Sequence, residues 1–330
     1  MDPVEALNEI GFWLERELAS PYKTKAFRGA AVAIAGKPVQ KIASGALKIT
    51  GVGETTLEVI REAVAGDVPA YLVEVRERAE RAPESALHSR LRGDLHTHSE
   101  WSDGTTPIEL MASTARWLGR DYIALTDHSP RLKIANGLSA ERLRDQLKVV
   151  AQLNAASDDF RILTGIEVDI LDDGSLDQSD AILGALEIVV ASAHSKLKMP
   201  RREMTQRLLG AVRDPHTTVL GHVTGRLVKG SRGTRPQSEF DAAAVFAECA
   251  LRGVAVEINS RPERQDPPDN LIQLAVDAGC LFSINSDAHA PGHLGFVDFG
   301  AARAEAAGIP AERIVTTWER EKLLDWVAAS

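Results

Sequence analysis

The chain has 330 residues, a formal net charge of −9 and an ordinary globular composition, with 44% hydrophobic and 26% charged residues. No apolar run reaches the roughly 18 residues of a membrane-spanning helix, and the N-terminus lacks the basic and apolar segments of a signal peptide. The whole negative charge falls in residues 93–330, with 25 basic and 34 acidic side chains, which disfavours nonspecific nucleic-acid binding there. Cys249 and Cys280 lack the CxxC spacing typical of metal-binding cysteines. We expect both thiols to be buried and reduced, as in a cytoplasmic protein. We expect no membrane partner.

Residues 4–80 have helical periodicity throughout, which predicts an all-α domain over residues 1–80. Helices are expected over 4–18, 25–35, 54–65 and 69–80. The segment 22–48 carries six basic side chains and no acidic one. A contact with a phosphate backbone would begin there, and a solvated basic face is the alternative. Residues 81–92 are polar and contain one proline, and we expect them to form a linker.

From residue 93 onward, short apolar runs alternate with helical patterns, which predicts a parallel α/β domain over residues 93–330. Seven strands are expected, ending near His98, His128, Glu167, His194, His222, Asn259 and His289. Helices are expected between them, for example over 106–119, 139–154 and 239–252. Each strand end carries a polar or metal-binding side chain. In βα-barrels the chemistry collects at the carboxyl ends of the strands, so this pattern favours a barrel with one site there.

Nine side chains near these strand ends are candidate metal ligands: His96, His98, Asp103, His128, Glu167, His194, His222, Asp287 and His289. Side chains at positions i and i+2 of a strand share a face, so His96 and His98 can reach one ion. A buried core histidine would explain any one of them more simply, but the whole set favours a metal centre. Imidazole and carboxylate ligands suit Zn, Mn or Fe better than Mg or Ca, and nine ligands predict two or three ions. We expect the other three histidines, His88, His216 and His293, to be solvated.

Seven segments resemble the motifs of the PHP (polymerase and histidinol phosphatase) superfamily: GDLHTHSEWSDG, YIALTDHS, GIEVDILDDGSLD, ASAHS, GHVTGRL, VEINSRPER and INSDAH. They are most similar to the C-terminal PHP domain of bacterial X-family DNA polymerases, over essentially all of residues 92–330. The resemblance implies a distorted seven-stranded βα-barrel with a trinuclear metal centre and 3′–5′ exonuclease or other phosphoesterase activity.

The resemblance also implies which ligands share an ion. The first ion would be held by His96, His98, Glu167 and Asp287, the second by Asp103, His128 and His289, and the third by His194 and His222 with Glu167 as a bridge. One departure is Val223, where X-family polymerases usually have proline.

The segments PYKTKAFRGAA and ITGVGETTLEVI resemble the helix-hairpin-helix domain that opens the same polymerases. That resemblance implies DNA binding through the turn Gly51, Val52 and Gly53 and the basic residues Lys23, Lys25 and Arg28. Backbone N–H groups at a helix N-terminus can bind a phosphate, and a tight interhelical turn without a ligand is the alternative. The lyase lysine of polymerase beta-like members is missing, because Thr55 and Val59 stand at the corresponding positions. The short linker leaves no space for a polymerase module.

We therefore expect a metal-dependent phosphoester hydrolase, in which a metal-bound hydroxide attacks phosphorus. Glu167 and Asp287 would act in catalysis. Arg226 would bind the substrate phosphate within a basic segment that also holds Lys229, Arg232 and Arg235. Asp127 and Glu257 are candidates to orient ligand histidines.

A DNA end is the expected substrate because of the helix-hairpin-helix resemblance. The alternatives are a small phosphomonoester, such as histidinol phosphate or a nucleotide, and a non-catalytic DNA-binding accessory protein. We expect a monomer.

Overall fold

The computed structural model describes residues 1–230 and 233–329, and the chain forms two compact units, Met1–Arg81 and Ala82–Ser330. The first unit is all-α, as the helical periodicity predicts. Its helices are α1 (Pro3–Arg16), α2 (Pro21–Ile34), α3 (Val39–Ala43), α4 (Glu54–Ala65) and α5 (Ala70–Arg78). Helix α2 begins earlier than expected because proline has the φ of a first helical turn and needs no amide hydrogen bond there. The short helix α3 has no counterpart in the sequence pattern.

Apolar side chains from α1, α2 and α4 form the core of this first unit. Leu7, Ile10 and Leu14 lie one helical turn apart on α1 and pack in one buried cluster with Ile34 and Ile60. Residues at these spacings share one face of a helix. The amphipathic stripe visible in the sequence is therefore the packing face of α1.

The second unit contains seven parallel strands that neighbour one another in chain order. They are β1 (Gly93–Thr97), β2 (Tyr122–Leu125), β3 (Arg161–Asp169), β4 (Ile188–Ser192), β5 (Val219–Leu220), β6 (Ala255–Asn259) and β7 (Phe282–Asn285). A parallel bridge joins Thr97 to Ala288, and the His98 amide donates to the Ala288 carbonyl over 2.8 Å. These contacts bring the first and last strands together. The nearly closed sheet confirms the expected distorted seven-stranded βα-barrel.

Helices flank the strands. They are α6 (Ile108–Trp117), α7 (Ala140–Ala155), α8 (Asp180–Leu183), α9 (Arg201–Arg213), α10 (Ala242–Arg252), α11 (Asp269–Asp277), α12 (Val297–Ala306) and α13 (Arg320–Ala329). Strand β6 shows how the two faces of the sheet differ. Val256 and Ile258 pack in the large apolar cluster that includes Phe246 of α10, whereas Ala255 belongs to a separate cluster. Because neighbouring residues of a strand face opposite sides, Glu257 lies on the face of Ala255, opposite the cluster that contains Phe246.

Residues 81–92 were expected to form a linker, but from Ala82 onward they belong to the second unit and pack against the barrel. Leu87 and Leu91 are buried in the barrel's apolar core, and the Arg92 amide donates to the Thr316 carbonyl over 2.8 Å.

Among the described residues, no helix combines the length and apolarity that crossing a membrane requires.

Candidate metal centre

The nine candidate ligands lie at the carboxyl ends of the strands. They are His96 and His98 at the end of β1 with Asp103 in the following loop, His128 after β2, Glu167 on β3, His194 after β4, His222 after β5, and Asp287 and His289 after β7. Six of the nine are buried, and Asp103 is the most exposed. A closed parallel barrel places the carboxyl ends of all its strands on one rim, so residues almost 200 positions apart meet there.

Glu167 lies at the centre of this cluster. Its Oε1 is 2.9 Å from His222 Nε2 and 3.2 Å from His194 Nε2. Its Oε2 is 2.8 Å from His128 Nδ1 and 3.3 Å from His96 Nε2. A carboxylate whose two oxygens face different histidines can bridge two ions.

Two aspartates face the remaining histidines. Asp287 Oδ1 lies 3.5 Å from both His98 Nε2 and His289 Nδ1. Asp103 Oδ1 lies 3.4 Å from His128 Nε2 and 3.3 Å from His289 Nε2. The ligand atoms close enough to share an ion form three groups: His98, Asp103, His128 and His289; His96, His98 and Asp287; and His128, Glu167 and His194. These groups differ from the ligand sets that the family resemblance implies. In the structure, His98 also shares a group with Asp103, and His128 also shares a group with Glu167.

Burial and mutual proximity set the charges in the cluster. Burial alone would raise the pKa of Glu167, but the nearby His96, His194 and His128 hold this pKa well below its usual range. Burial, together with repulsion from His289 and His128, lowers the pKa of His98 to about 3. Ionised carboxylates and neutral imidazoles are the forms that bind metals, and Glu167 and His98 have these forms at neutral pH. Burial would lower the pKa of His194, but Glu167 and Asp169 raise it to about 9. Burial would also lower the pKa of His96, but Glu257 and Glu167 raise it well above its usual range, so metal binding must displace a proton from each of these two rings.

Several buried ring nitrogens in the cluster form no hydrogen bond with any described residue. They are His96 Nε2, both ring nitrogens of His98, and His222 Nδ1. Buried polar atoms seldom lack partners in folded proteins, and imidazole nitrogen is a common ligand of zinc, manganese and iron. These nitrogens, two of which face a carboxylate oxygen without forming a hydrogen bond, therefore fit a metal centre.

Glu257 contacts two of the candidate ligands, whereas Asp127 contacts a loop. Glu257 Oε1 is 2.6 Å from His96 Nδ1, and its Oε2 accepts the His222 amide over 2.6 Å. The Asp127 carboxylate instead accepts hydrogen bonds from the Ser99 amide over 2.8 Å and the Ser99 hydroxyl over 2.6 Å. It therefore fixes the loop that carries Asp103 and does not itself orient a histidine.

Asp169 supports His194, and the sequence analysis did not identify it. Its Oδ1 is 3.1 Å from the His194 amide nitrogen and 3.3 Å from His194 Nδ1. Asp169 stands two residues after Glu167 on β3, so both side chains lie on the same face of the strand. That spacing in the segment GIEVD was the signal that could have identified it.

Arg226, expected to bind phosphate, is engaged elsewhere. Its Nε lies 2.9 Å from the Gln265 carbonyl and 3.2 Å from the Arg264 carbonyl, and its Nη2 also donates to Gln265. Arg226 therefore braces the loop after β6. Of its basic neighbours, Arg235 donates to the Gly225 carbonyl over 2.7 Å, and Arg232 lies outside the described residues.

Arg264, the last residue of the segment VEINSRPER, lies within the cluster, although the sequence analysis did not single it out. Its Nε is 3.0 Å from Asp287 Oδ2, and its side chain is only 10% exposed. Within the described part of the chain, its two terminal amino groups donate no hydrogen bond. A buried guanidinium with free donors can bind an anion that enters the centre.

The basic residues expected to bind DNA differ in their surroundings. Lys23 and Lys25 are exposed on α2. Arg28 donates from Nε and Nη2 to both carboxylate oxygens of Glu15, over 3.0 and 2.8 Å, and from Nη1 to Asn8 over 3.2 Å. Its side chain is only 12% exposed. Arg28 therefore joins α2 to α1, and this ion pair competes with any contact to a DNA phosphate.

The glycine turn before α4 uses some of its amides internally. Gly51 has a φ of +92°, in the region that glycine adopts without steric cost. The amides of Val52 and Gly53 donate within the turn over 3.2 and 2.9 Å. Among the described residues, the amides of Gly51, Glu54 and Thr55 form no hydrogen bond. The first amides of a helix have no acceptor inside it, so amides at the start of α4 can bind an anion.

Comparisons with known proteins give one family match and several relatives. The model of the PHP domain matches residues 94–261, just over half of the chain. The DNA polymerase/3′-5′ exonuclease PolX of Bacillus subtilis (strain 168) is 42% identical over 200 residues, which are 61% of this chain and 34% of that protein. The chain thus spans about a third of the length of this relative. A probable phosphatase of Thermoanaerobacter sp. (strain X514) is 27% identical over 235 residues, 68% of this chain and 89% of that protein.

A solved structure supports the fold. The crystal structure of histidinol phosphate phosphatase from Lactococcus lactis, complexed with zinc, L-histidinol and phosphate, has a TM-score of 0.50 at 18% identity and covers 66% of this chain and 94% of that one. The match to the PHP domain model, together with the barrel and its buried histidine and carboxylate cluster, shows that the chain belongs to the PHP domain family and is a metal-dependent phosphoester hydrolase.

Proposed function

We propose that this chain hydrolyses phosphoester bonds at DNA ends, as a 3′–5′ exonuclease or a 3′-phosphoesterase. The observation that carries the choice of DNA is the 42% identity to PolX, a polymerase and exonuclease, against 27% for the probable phosphatase. The N-terminal unit supports this choice because it exposes lysines on α2 and free amides at the start of α4. Cationic side chains and helix N-termini are common contacts to DNA phosphates.

The nine clustered side chains would hold two or three ions of zinc, manganese or iron, with Glu167 shared between ions. Bound divalent ions supply Lewis acidity at phosphorus and make water a better nucleophile. Asp169 and Glu257 keep His194 and His96 in fixed orientations, and such outer contacts raise the affinity of ligands for metal.

Arg264 is the side chain of this cluster best placed to bind a phosphoryl oxygen. Its Nε faces Asp287, which leaves both terminal amino groups for the substrate. A guanidinium matches the geometry of two phosphate oxygens. Because the side chain is buried, this contact would form in a water-poor environment, where charge-assisted hydrogen bonds are stronger than in water.

A small phosphomonoester is the second candidate substrate. The probable phosphatase of Thermoanaerobacter aligns over 89% of its own length, whereas PolX aligns over 34%. The barrel unit contains every proposed metal ligand, so hydrolysis of a small substrate needs nothing from the helical unit.

The test compares three substrates on the metal-loaded protein: a 3′-labelled oligonucleotide, glycerol phosphate and histidinol phosphate. The double variant Lys23→Gln/Lys25→Gln should lower kcat/KM on the oligonucleotide several-fold and flatten its salt dependence, because fewer counterions are released on binding. It should leave both small substrates unaffected. The matched control is Lys148→Gln, which removes a lysine that is 72% exposed on α7.

A parent protein that hydrolyses histidinol phosphate and leaves the oligonucleotide intact would replace the DNA proposal with the small-substrate one. Equal losses on all three substrates would mean that the lysines support folding and do not bind DNA.

A further inference from the structure

The loop of residues 129–137, which directly follows the ligand His128, presents an isoleucine to solvent. Ile134 is 95% exposed, more than any other large apolar side chain in the described residues. Single exposed apolar side chains are common on protein surfaces, so exposure alone indicates nothing. Ile134 differs from other exposed apolar residues because its loop is held in one conformation and directly follows a candidate metal ligand.

The loop is held in one conformation. The Leu138 amide donates to the His128 carbonyl over 2.7 Å, so both ends of the loop meet at a metal ligand. A side chain at Gly137 would lie 1.9 Å from the Ser129 carbonyl oxygen, which shows how closely the loop folds back on itself. Arg142 Nη1 donates to two loop carbonyls over 2.8 and 3.3 Å. The backbone of the loop therefore holds Ile134 in one exposed position. Because the loop is already ordered, less conformational entropy is lost when a ligand packs against Ile134.

The loop also brings positive charge to the edge of the metal centre. Arg131 Nε lies 3.6 Å from Asp169 Oδ2, and Asp169 in turn binds the ligand His194. Lys133, next to Ile134, is exposed. A nucleic-acid strand has the complementary pattern, since its phosphates attract cations and its bases offer flat apolar faces.

We infer that Ile134 packs against a base of an unpaired DNA end, while Lys133 faces the backbone, so that the loop 129–137 selects nucleic-acid strands over small phosphomonoesters. The inference rests on the proposed DNA-end function and adds the group that the site recognises. An abasic strand keeps the phosphates and loses the contact with Ile134. Glycerol phosphate has no base at all.

The test uses the full-length, metal-loaded protein with Ile134→Ser, Ile134→Leu and the control Leu251→Ser, which changes another exposed apolar residue, 76% exposed on α10. The substrates are an oligonucleotide, the same oligonucleotide with abasic residues at its last two 3′ positions, and glycerol phosphate. Ile134→Ser should lower kcat/KM on the intact oligonucleotide about tenfold, equal to about 1.4 kcal/mol. On the other two substrates it should change kcat/KM less than twofold. Ile134→Leu and Leu251→Ser should behave like the parent.

A tenfold loss on all three substrates, or no loss on the intact oligonucleotide, would overturn the role of Ile134. If the parent cleaves glycerol phosphate and no oligonucleotide, the proposed DNA-end function fails and the inference falls with it. If the parent cleaves both oligonucleotides and Ile134→Ser penalises them equally, only the inference fails.

Discussion

Replacing Glu257 with glutamine should weaken metal binding while leaving the barrel folded. The two oxygens of Glu257 face four nitrogen groups: His96 Nδ1 at 2.6 Å, the His222 amide at 2.6 Å, Asn285 Nδ2 at 2.9 Å and Asn259 Nδ2 at 3.2 Å. Burial alone would raise the pKa of Glu257, but the adjacent His96 holds it below the usual range. The carboxylate is therefore ionised at neutral pH, and the substitution removes a buried negative charge.

The magnitude follows from the number of acceptors. A glutamine side chain has one acceptor oxygen and one NH2 group. In either orientation of the amide, the NH2 group lies beside two of the four nitrogen groups, and these two then lack an acceptor. A buried donor without an acceptor costs about 1–3 kcal/mol, and partial relaxation should leave a loss of about 2–4 kcal/mol in the free energy of unfolding. Loss of an outer contact to a metal-binding histidine lowers metal affinity about 10- to 100-fold. That range equals about 1.4–2.7 kcal/mol.

Competition with a chelator measures the affinity, and urea unfolding of the metal-free protein measures the stability. The control is Glu248→Gln on α10, whose carboxylate pairs with Arg213 and Arg252 away from the cluster. An affinity within twofold of the parent for Glu257→Gln would refute the argument that Glu257 fixes His96 and His222. An equal loss in Glu248→Gln would show a general effect of reduced negative charge.

Three further substitutions or treatments test other parts of the structure. Glu167→Ala should release at least one ion and abolish hydrolysis, because both carboxylate oxygens of Glu167 face histidines. Elemental analysis measures the ion content. Turnover near the parent rate at saturating metal would contradict the assignment of Glu167 as a metal ligand. Arg28→Ala should destabilise the helical unit by about 3 kcal/mol in urea unfolding, because it removes the guanidinium that pairs with the buried Glu15 carboxylate. Hydrolysis of glycerol phosphate should not change. Burial raises the pKa of the Cys280 thiol to about 11 and that of Cys249 well above its usual range, so thiol reagents at pH 8 should label neither cysteine until urea unfolds the protein. Rapid labelling of the folded protein would show that these thiols are accessible.

The sequence by itself determined the fold class and the chemistry of the site. Apolar periodicity is a local property, so the helices of the first unit and the seven strands of the second could be located from it. The pair His96 and His98 was recognisable as one ligand set because strand geometry places residues i and i+2 on one face. A parallel barrel then collects the ends of its strands on one rim, which brings Glu167 and Asp287 to the same place.

Only the tertiary structure decided which polar side chains serve the site and which serve the fold. Arg226 and Arg264 both lie in loops after strands, yet Arg226 binds backbone carbonyls while Arg264 lies beside Asp287. Asp127 likewise braces a loop, whereas Glu257 binds His96 across 161 positions of sequence. The role of a polar side chain depends on the donors and acceptors within about 3 Å of it. Most of those partners are distant in the chain, so no local pattern of residues contains them.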